Sequence, residues 1–231
     1  STCSSRSRKP ASIPSNAWKK VTASSNTEAP TTLDTWRMNA WAATFTAFIT
    51  PRVGAMITRT TAQGTSCSSI QKYCLNDEES NCGIYGGLYR WTQAMCGATT
   101  EKTQGVCPAG WHVPTDPEFV TLTNYLGSSA CADYRDGDSN FCGAPAGDRL
   151  KAAGLCQGRT PCGDSGFNAL PAGQATDSAF VLFGERTYFW TSSMHSSEAW
   201  RTDLWLDNAG VDATYFYSPF TTANSIRCVK D

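Results

Sequence analysis

The chain has 231 residues, with 19 Lys/Arg against 20 Asp/Glu and a formal net charge of −1. That balance excludes a bulk electrostatic attraction to nucleic acid or to an anionic membrane surface, and 40% hydrophobic residues suffice for a substantial core. Charged residues are sparse at 17%, while 19 Gly, 11 Pro and eight Trp describe a loop-rich, aromatic-anchored fold rather than a helical bundle.

The first 60 residues hold eight Lys/Arg and two acids. Residues 1–33, rich in Ser, Thr, Asn, Ala and Pro, read as a flexible N-terminal extension, with "SSRSRKP" a solvated terminus rather than a nucleic-acid arm. One domain then fills 34–231. The sequence opens at Ser1 rather than Met, as it would after loss of a signal or anchor or through the choice of start. "NAWAATFTAFITP" alternates with period two and predicts an early strand ended by Pro51. It is too short and too rich in Thr to span a bilayer, so no membrane insertion is expected.

Eleven cysteines follow at positions 3, 67, 74, 82, 96, 107, 131, 142, 156, 162 and 228. Zinc would want paired C-x2-C knuckles or nearby histidines; neither spacing occurs, and His112 and His195 are the only histidines. A disulfide framework in an oxidising, extracellular or cell-surface setting is the better reading. The odd count leaves one thiol over, with Cys3 the natural orphan. Cys131/Cys142 and Cys156/Cys162 are close enough in sequence to clamp one loop each. Cys228, four residues from the end, is open to three readings: nucleophile, metal ligand or staple.

Residues 64–107 carry five cysteines in a Gly-rich stretch with one short helix signal, "GGLYRWTQAMCG". "PTDPEFVTLTNYLG" at 114–127 predicts the best helix of the chain. Thr115 or Asp116 caps it, Pro117 suits its first turn, Phe119, Val120, Leu122 and Leu126 form an apolar side, and Gly127 stops it. Beyond residue 130 turn signals dominate. "GDSGFNALPAG", "FVLFGERTYFWTSS", "AWRTDLWLDNAGVDATYFY" and "NSIRCVKD" predict short strands joined by tight turns. Along 200–206, Trp200, Thr202, Leu204 and Leu206 alternate with Arg201, Asp203 and Trp205. The first set is predicted to face the core and the second to face out, where an exposed Trp beside Arg and Asp suggests more than solvation.

"GVCPAGWHVPTDPEF" (105–119), "GFNALPAG", "YFWTSS" and the closing "SIRCVKD" together resemble the Fibrobacter succinogenes major paralogous domain. "GTSCSSIQKYCLNDEESNCGIYGGLYRWTQAMCG" resembles its cysteine-bearing front half. The resemblance covers roughly 53–231, and "TWRMNAWAATFTAFITPRVG" looks longer than the family's usual opening. It implies a C-type-lectin-like fold of the formylglycine-generating-enzyme subclass, an α+β scaffold whose first and last strands meet. It also implies a staple between Cys107 and Cys228, which in the chain-entropy picture constrains the unfolded state by about 4–5 kcal/mol.

Enzymes of that fold oxidise a substrate cysteine with copper and a cysteine pair near the C-terminus. Here residues 163–227 contain no cysteine, so the pair is missing and no catalytic residue is expected. His195 in "SSMHSSE" beside Glu198 superficially offers Ser, His and an acid, but no Gly-x-Ser-x-Gly elbow is present. His112 reads as a structural residue satisfied by backbone partners. Asp133, Asp136, Asp138 and Asn140 in "DYRDGDSN" are a weak calcium candidate, read first as an acidic turn braced by Cys131 and Cys142. No other cofactor is expected.

Members of the family and of the fold subclass serve as variable proteins of diversity-generating retroelements, in which adenine-directed mutagenesis rewrites codons near the gene's 3′ end. By that resemblance Trp190, Trp200, Leu204, Val211, Ile226 and Arg227 are scaffold positions. Tyr188, His195, Arg201, Asp203, Trp205, Asp207, Asp212, Thr214, Tyr215, Phe216 and Tyr217 form a ligand-binding face, with the aromatic-plus-polar mixture paratopes use. Met194 and Trp205, whose codons end in G, would be fixed or come from template codons other than asparagine's. The expectation is a non-enzymatic, secreted or surface protein binding a macromolecule on a cell or virus through residues 188–220. The alternatives are a fixed adhesin or filament-associated domain and, further off, a formylglycine-generating oxidase.

Overall fold

A computed structural model describes residues 18–20, 57–60, 67, 69–127, 144–216 and 221–231, with the backbone alone for 18–20, 57–60, 69 and 212–216. The strand predicted over 39–51, the acidic stretch 133–140, Cys3, Cys131, Cys142 and Tyr217 lie outside the described residues.

The described elements mix helices with three antiparallel or mixed sheets, which makes the fold α+β. In chain order they run β1 (Trp18–Lys20), β2 (Ile57–Thr60), β3 (Ser69–Lys72), a 3-10 turn (Leu75–Asp77), α1 (Glu79–Tyr85), β4 (Leu88–Arg90) and α2 (Trp91–Ala94). Next come β5 (Trp111–His112), α3 (Asp116–Tyr125), α4 (Ala146–Leu150), β6 (Gln174–Ala175) and β7 (Phe180–Val181). The chain closes with β8 (Arg186–His195), β9 (Glu198–Trp205), β10 (Asp212–Phe216), β11 (Ala223–Ser225) and β12 (Arg227–Lys230).

The predicted helix at 114–127 forms as α3. The Thr115 side chain accepts from the Glu118 amide while the Glu118 carboxylate accepts from the Thr115 amide, a complete capping box. Phe119, Leu122 and Leu126 are buried, whereas Val120 stays half-exposed. "GGLYRWTQAMCG" is only half helical: its first part is β4, and a single turn, α2, follows. "GDSGFNALPAG" forms no strand; isolated bridges pair Ala169 with Lys151 and Gly173 with Thr187 of β8.

The main sheet runs β10–β9–β8–β11–β6–β7, with β4 also paired to β11. A second sheet places β12 between β1 and β5, so Trp18–Lys20 pairs with the end of the chain at Arg227–Val229. That part of the segment expected as an extension therefore joins the scaffold. The pairing partner is two hundred residues away in sequence, so no local signal marks it. Cys107 and Cys228 are bonded across the same sheet, with Cα atoms 5.8 Å apart and a separation of 121 residues. Further disulfides join Cys67 to Cys96, Cys74 to Cys82 and Cys156 to Cys162.

Two tryptophans lock β4 and α2 onto β8. The Trp91 indole donates to the Thr191 carbonyl at 2.8 Å, and the Trp190 indole donates to the Tyr89 carbonyl at 2.9 Å. Around them one core gathers Tyr89, Met95, Val113, Ile226 and the Cys107–Cys228 sulfurs. A second core packs α3 and α4 on the sheet through Phe119, Leu150, Phe167, Phe189 and Leu204. Its rings meet edge-on, Phe167 and Phe189 at 5.3 Å and 87°. No described helix is long and apolar enough to cross a membrane.

Candidate binding face on strands β8 to β10

The segment expected to bind is built on a hairpin. Strands β8 and β9 pair from Arg186↔Trp205 to His195↔Glu198, interrupted by an irregularity between Trp190 and Met194. Ser196 and Ser197 make the two-residue turn, and Ser196 takes the left-handed φ of 57° that such turns require. Strand β10 extends the sheet outward, placing Asp212 opposite Asp203, Thr214 opposite Arg201, Tyr215 opposite Trp200 and Phe216 opposite Ala199.

The alternation predicted along β9 is present, but its second set does not face solvent uniformly. Asp203 is 1% exposed and Tyr188, directly across the ladder, is 2% exposed. Both are corrections to the outward placement. The reason lies in two arginines that roof this face. Arg201 lies over the Tyr188 ring at 4.5 Å and pairs with Asp203, Nε to Oδ1 at 2.9 Å and Nη2 to Oδ2 at 3.0 Å. Arg186 lies over the Trp205 ring at 3.4 Å. Burial, and then the nearby Asp203 charge, push the Tyr188 hydroxyl above its ordinary pKa, so it stays neutral. Arg186 went unremarked in the sequence; its place opposite Trp205 depends on the hairpin register.

Arg201 is largely buried, its side chain 11% exposed, Trp205 is partly exposed, and His195 and Asp207 are exposed. His195 sits at the hairpin tip with its ring edge-on to Trp200, centroids 6.5 Å apart. Asp207 starts the β9–β10 turn, which is clamped from behind. Arg159 donates to the Leu206 carbonyl at 2.6 Å, Lys151 to the Asn208 carbonyl at 2.5 Å, and the Asp148 amide to the Ala209 carbonyl at 3.1 Å. The clamp has its own buried centre, where the Asp148 carboxylate receives Lys151 at 2.7 Å and Arg159 at 2.7 Å. Although burial opposes its charge, hydrogen bonds from Arg159 and Lys151 hold the Asp148 carboxyl below the usual range. Gly147 packs so close to the Gly210 carbonyl that a Cβ there would collide with it.

Ser192 and Ser193, upstream of His195, are otherwise engaged. Ser193 hydrogen-bonds the Glu101 carboxylate and accepts from the Asp116 amide, and Ser192 accepts from the Lys102 amide while donating to the Pro114 carbonyl. No Ser–His–acid relay is assembled from them. His112 is held by carboxylates rather than by the backbone partners expected for it, with Nδ1 2.6 Å from Asp231 and Nε2 3.1 Å from Glu118. Cys74, Glu79 and Cys82 cluster their ligand-type atoms within 4.8 Å, but the two sulfurs are bonded to each other and offer no thiolate. Glu79 there pairs with the buried Lys72 at 2.9 Å.

No curated protein and no solved structure matches the chain. A family model described as the Fibrobacter succinogenes major domain matches residues 36–230, starting upstream of the stretch where the motifs themselves are recognisable. The chain belongs to the Fibrobacter succinogenes major domain family.

Proposed function

We propose that this protein is a non-enzymatic binder displayed outside the cell. Its domain is C-type-lectin-like, of the formylglycine-generating-enzyme subclass, and it engages a macromolecular ligand through residues 188–220. In the most specific form of this reading it is the variable protein of a diversity-generating retroelement. One observation carries it: burial divides this short segment into two populations. The six positions assigned to the scaffold, Trp190, Trp200, Leu204, Val211, Ile226 and Arg227, are each 9% exposed or less. Between them His195, Trp205 and Asp207 reach the surface, while Tyr188, Asp203 and most of Arg201 are covered. The meeting of β1 with β12 and the long Cys107–Cys228 staple support the fold assignment. Disulfide use supports an oxidising, extracellular setting. The bond of Cys228 to Cys107 supports a non-catalytic role, because that sulfur is not available as a copper thiolate.

A fixed adhesin or filament-associated domain is the second reading, and a specific observation favours it. Arg201, Asp203 and Tyr188 depend on one another, as do Arg186 and Trp205. Random rewriting at Asp203 would leave Arg201 facing a lost partner inside a covered site, which is strongly destabilising. Freely variable positions would have to be the remaining ones, His195, Asp207 and those on and after β10.

Sequencing codons 185–231 across a natural population separates the two. Substitutions piled on His195, Asp207 and residues 212–217, with Arg201, Asp203 and the six scaffold positions quiet, are the result expected of a diversified binder. A uniformly quiet profile refutes diversification and leaves the fixed adhesin. Replacing Tyr215, Phe216 and Tyr217 together by Ala is expected to abolish capture of the ligand without unfolding the domain. Unchanged capture by that variant overturns the proposed face under either reading.

A further inference from the structure

The last strand carries a charge that the described fold does not neutralise. Arg227 on β12 is 6% exposed. Its Nη2 donates to the Phe167 carbonyl at 2.9 Å and the Asn168 carbonyl at 3.2 Å, and the guanidinium lies over the Phe167 and Phe189 rings at 4.8 and 5.7 Å. Carbonyl dipoles and ring faces soften the burial of a cation but do not cancel it. Among the described residues no carboxylate pairs with this guanidinium, and its Nε has no hydrogen-bond partner. Burial pushes its pKa down to about 9, which leaves it charged at neutral pH.

A cavity with room for about one water-sized body adjoins the group, lined by Tyr85, Gly87, Thr187, Ser225 and Arg227 among others. Thr187 on β8 is 3% exposed, and its hydroxyl also lacks a hydrogen-bond partner. A buried cation without a counter-charge among the described residues and a buried hydroxyl without a partner thus line one small space, with Arg227 Nε and Thr187 Oγ1 unpaired. A water molecule would satisfy hydrogen bonds there but not the charge. Room for about one water-sized body fits a monatomic anion better than a carboxylate or phosphate. We propose that this cavity is a site for a monatomic anion, chloride or another halide, held by Arg227 as counter-charge and by the Thr187 hydroxyl. The bound ion would tie β8 to β12 beside the Cys107–Cys228 bond and to the turn after α1, stiffening the scaffold beneath the hairpin.

A halide that binds only the folded chain raises its stability by RT ln(1 + L/Kd), with L the free halide concentration, which goes on growing with the logarithm of concentration above Kd. The test is thermal unfolding of the full, disulfide-intact chain in sodium bromide or chloride against sodium gluconate, at constant ionic strength. The unfolding midpoint is expected to climb with halide, and above Kd to rise with the logarithm of its concentration. Arg227 variants risk misfolding, so Thr187→Val is the informative substitution. It is expected to weaken the apparent halide affinity on the order of tenfold, the effect of losing one hydrogen bond to a charge. Crystals soaked in bromide should show an anomalous peak between Arg227 and Thr187. Identical melting in halide and gluconate, a Thr187→Val curve that overlays the wild type, or bromide peaks confined to the surface would each overturn the proposal and leave water in the cavity.

Discussion

Removing the Cys107–Cys228 bond is expected to cost far more than removing Cys156–Cys162, and the gap can be worked from the structure. Both bonds are small covalent changes, and Cys107, Cys228 and Cys156 are buried, so loss of packing is comparable. What differs is the loop each closes, with sequence separations of 121 and 6 residues. In the chain-entropy picture the long loop is worth about 5 kcal/mol at 25 °C and the short one about 2 kcal/mol. The long bond also joins β12 to the core that holds Trp91 and Trp190, so its loss frees the strand that pairs with both β1 and β5. The assay is urea unfolding of the double variants Cys107→Ala/Cys228→Ala and Cys156→Ala/Cys162→Ala, followed by tryptophan fluorescence, with the remaining disulfides intact. A difference of about 3 kcal/mol between the variants is expected. Equal losses would refute the entropic reasoning and assign the stabilisation to local packing around each bond.

Two further perturbations test the buried charges. Stability should depend on pH through His112 and Glu118. Burial opposes the His112 charge, yet hydrogen bonds to Glu118 and Asp231 raise its pKa above 6.5. Burial likewise opposes the Glu118 charge, but His112, the Thr115 amide and Lys102 bring its pKa down to about 2. The histidine's contribution is therefore complete below its unfolded pKa of about 6.5 and is lost as pH rises through the raised folded value. The Glu118 contribution is present above about 4.5 and disappears as pH falls toward about 2. Urea midpoints should peak between those limits and decline as pH rises above them, and His112→Gln should flatten that alkaline decline; an unchanged decline in the variant would refute the assignment. Separately, Asp148→Ala strands the buried Lys151 and should destabilise by roughly 3–5 kcal/mol. A loss below about 1 kcal/mol would mean that the Asn208 carbonyl and water suffice for that ammonium.

Much of this architecture was legible locally. Helix α3 carries its own start signal in Thr115, Pro117 and Glu118, and those residues act within one turn of where they stand. Strands β8, β9 and β10 follow from β-branched and aromatic residues between turn formers, because a strand's period of two is written residue by residue. The cysteine count announced a disulfide framework, and the family motifs singled out Cys107 and Cys228 as partners. Other features depend on residues distant in sequence. The mate of Trp18–Lys20, the Asp231 carboxylate on His112 and the burial of Asp203 are set by contacts made only after folding.

The β9 face shows the division most clearly. Alternation alone determined that Arg201, Asp203 and Trp205 share one side, because successive side chains of a strand must point opposite ways. Whether that side meets water was decided by the register of β8, which brings Arg186 opposite Trp205 and Tyr188 opposite Asp203. Periodicity specifies a direction for each side chain, and only tertiary structure specifies what waits there. Arg227 obeys the same rule: the sequence placed a cation beside the last cysteine, and the packing of Phe167, Phe189 and Thr187 made it a buried one.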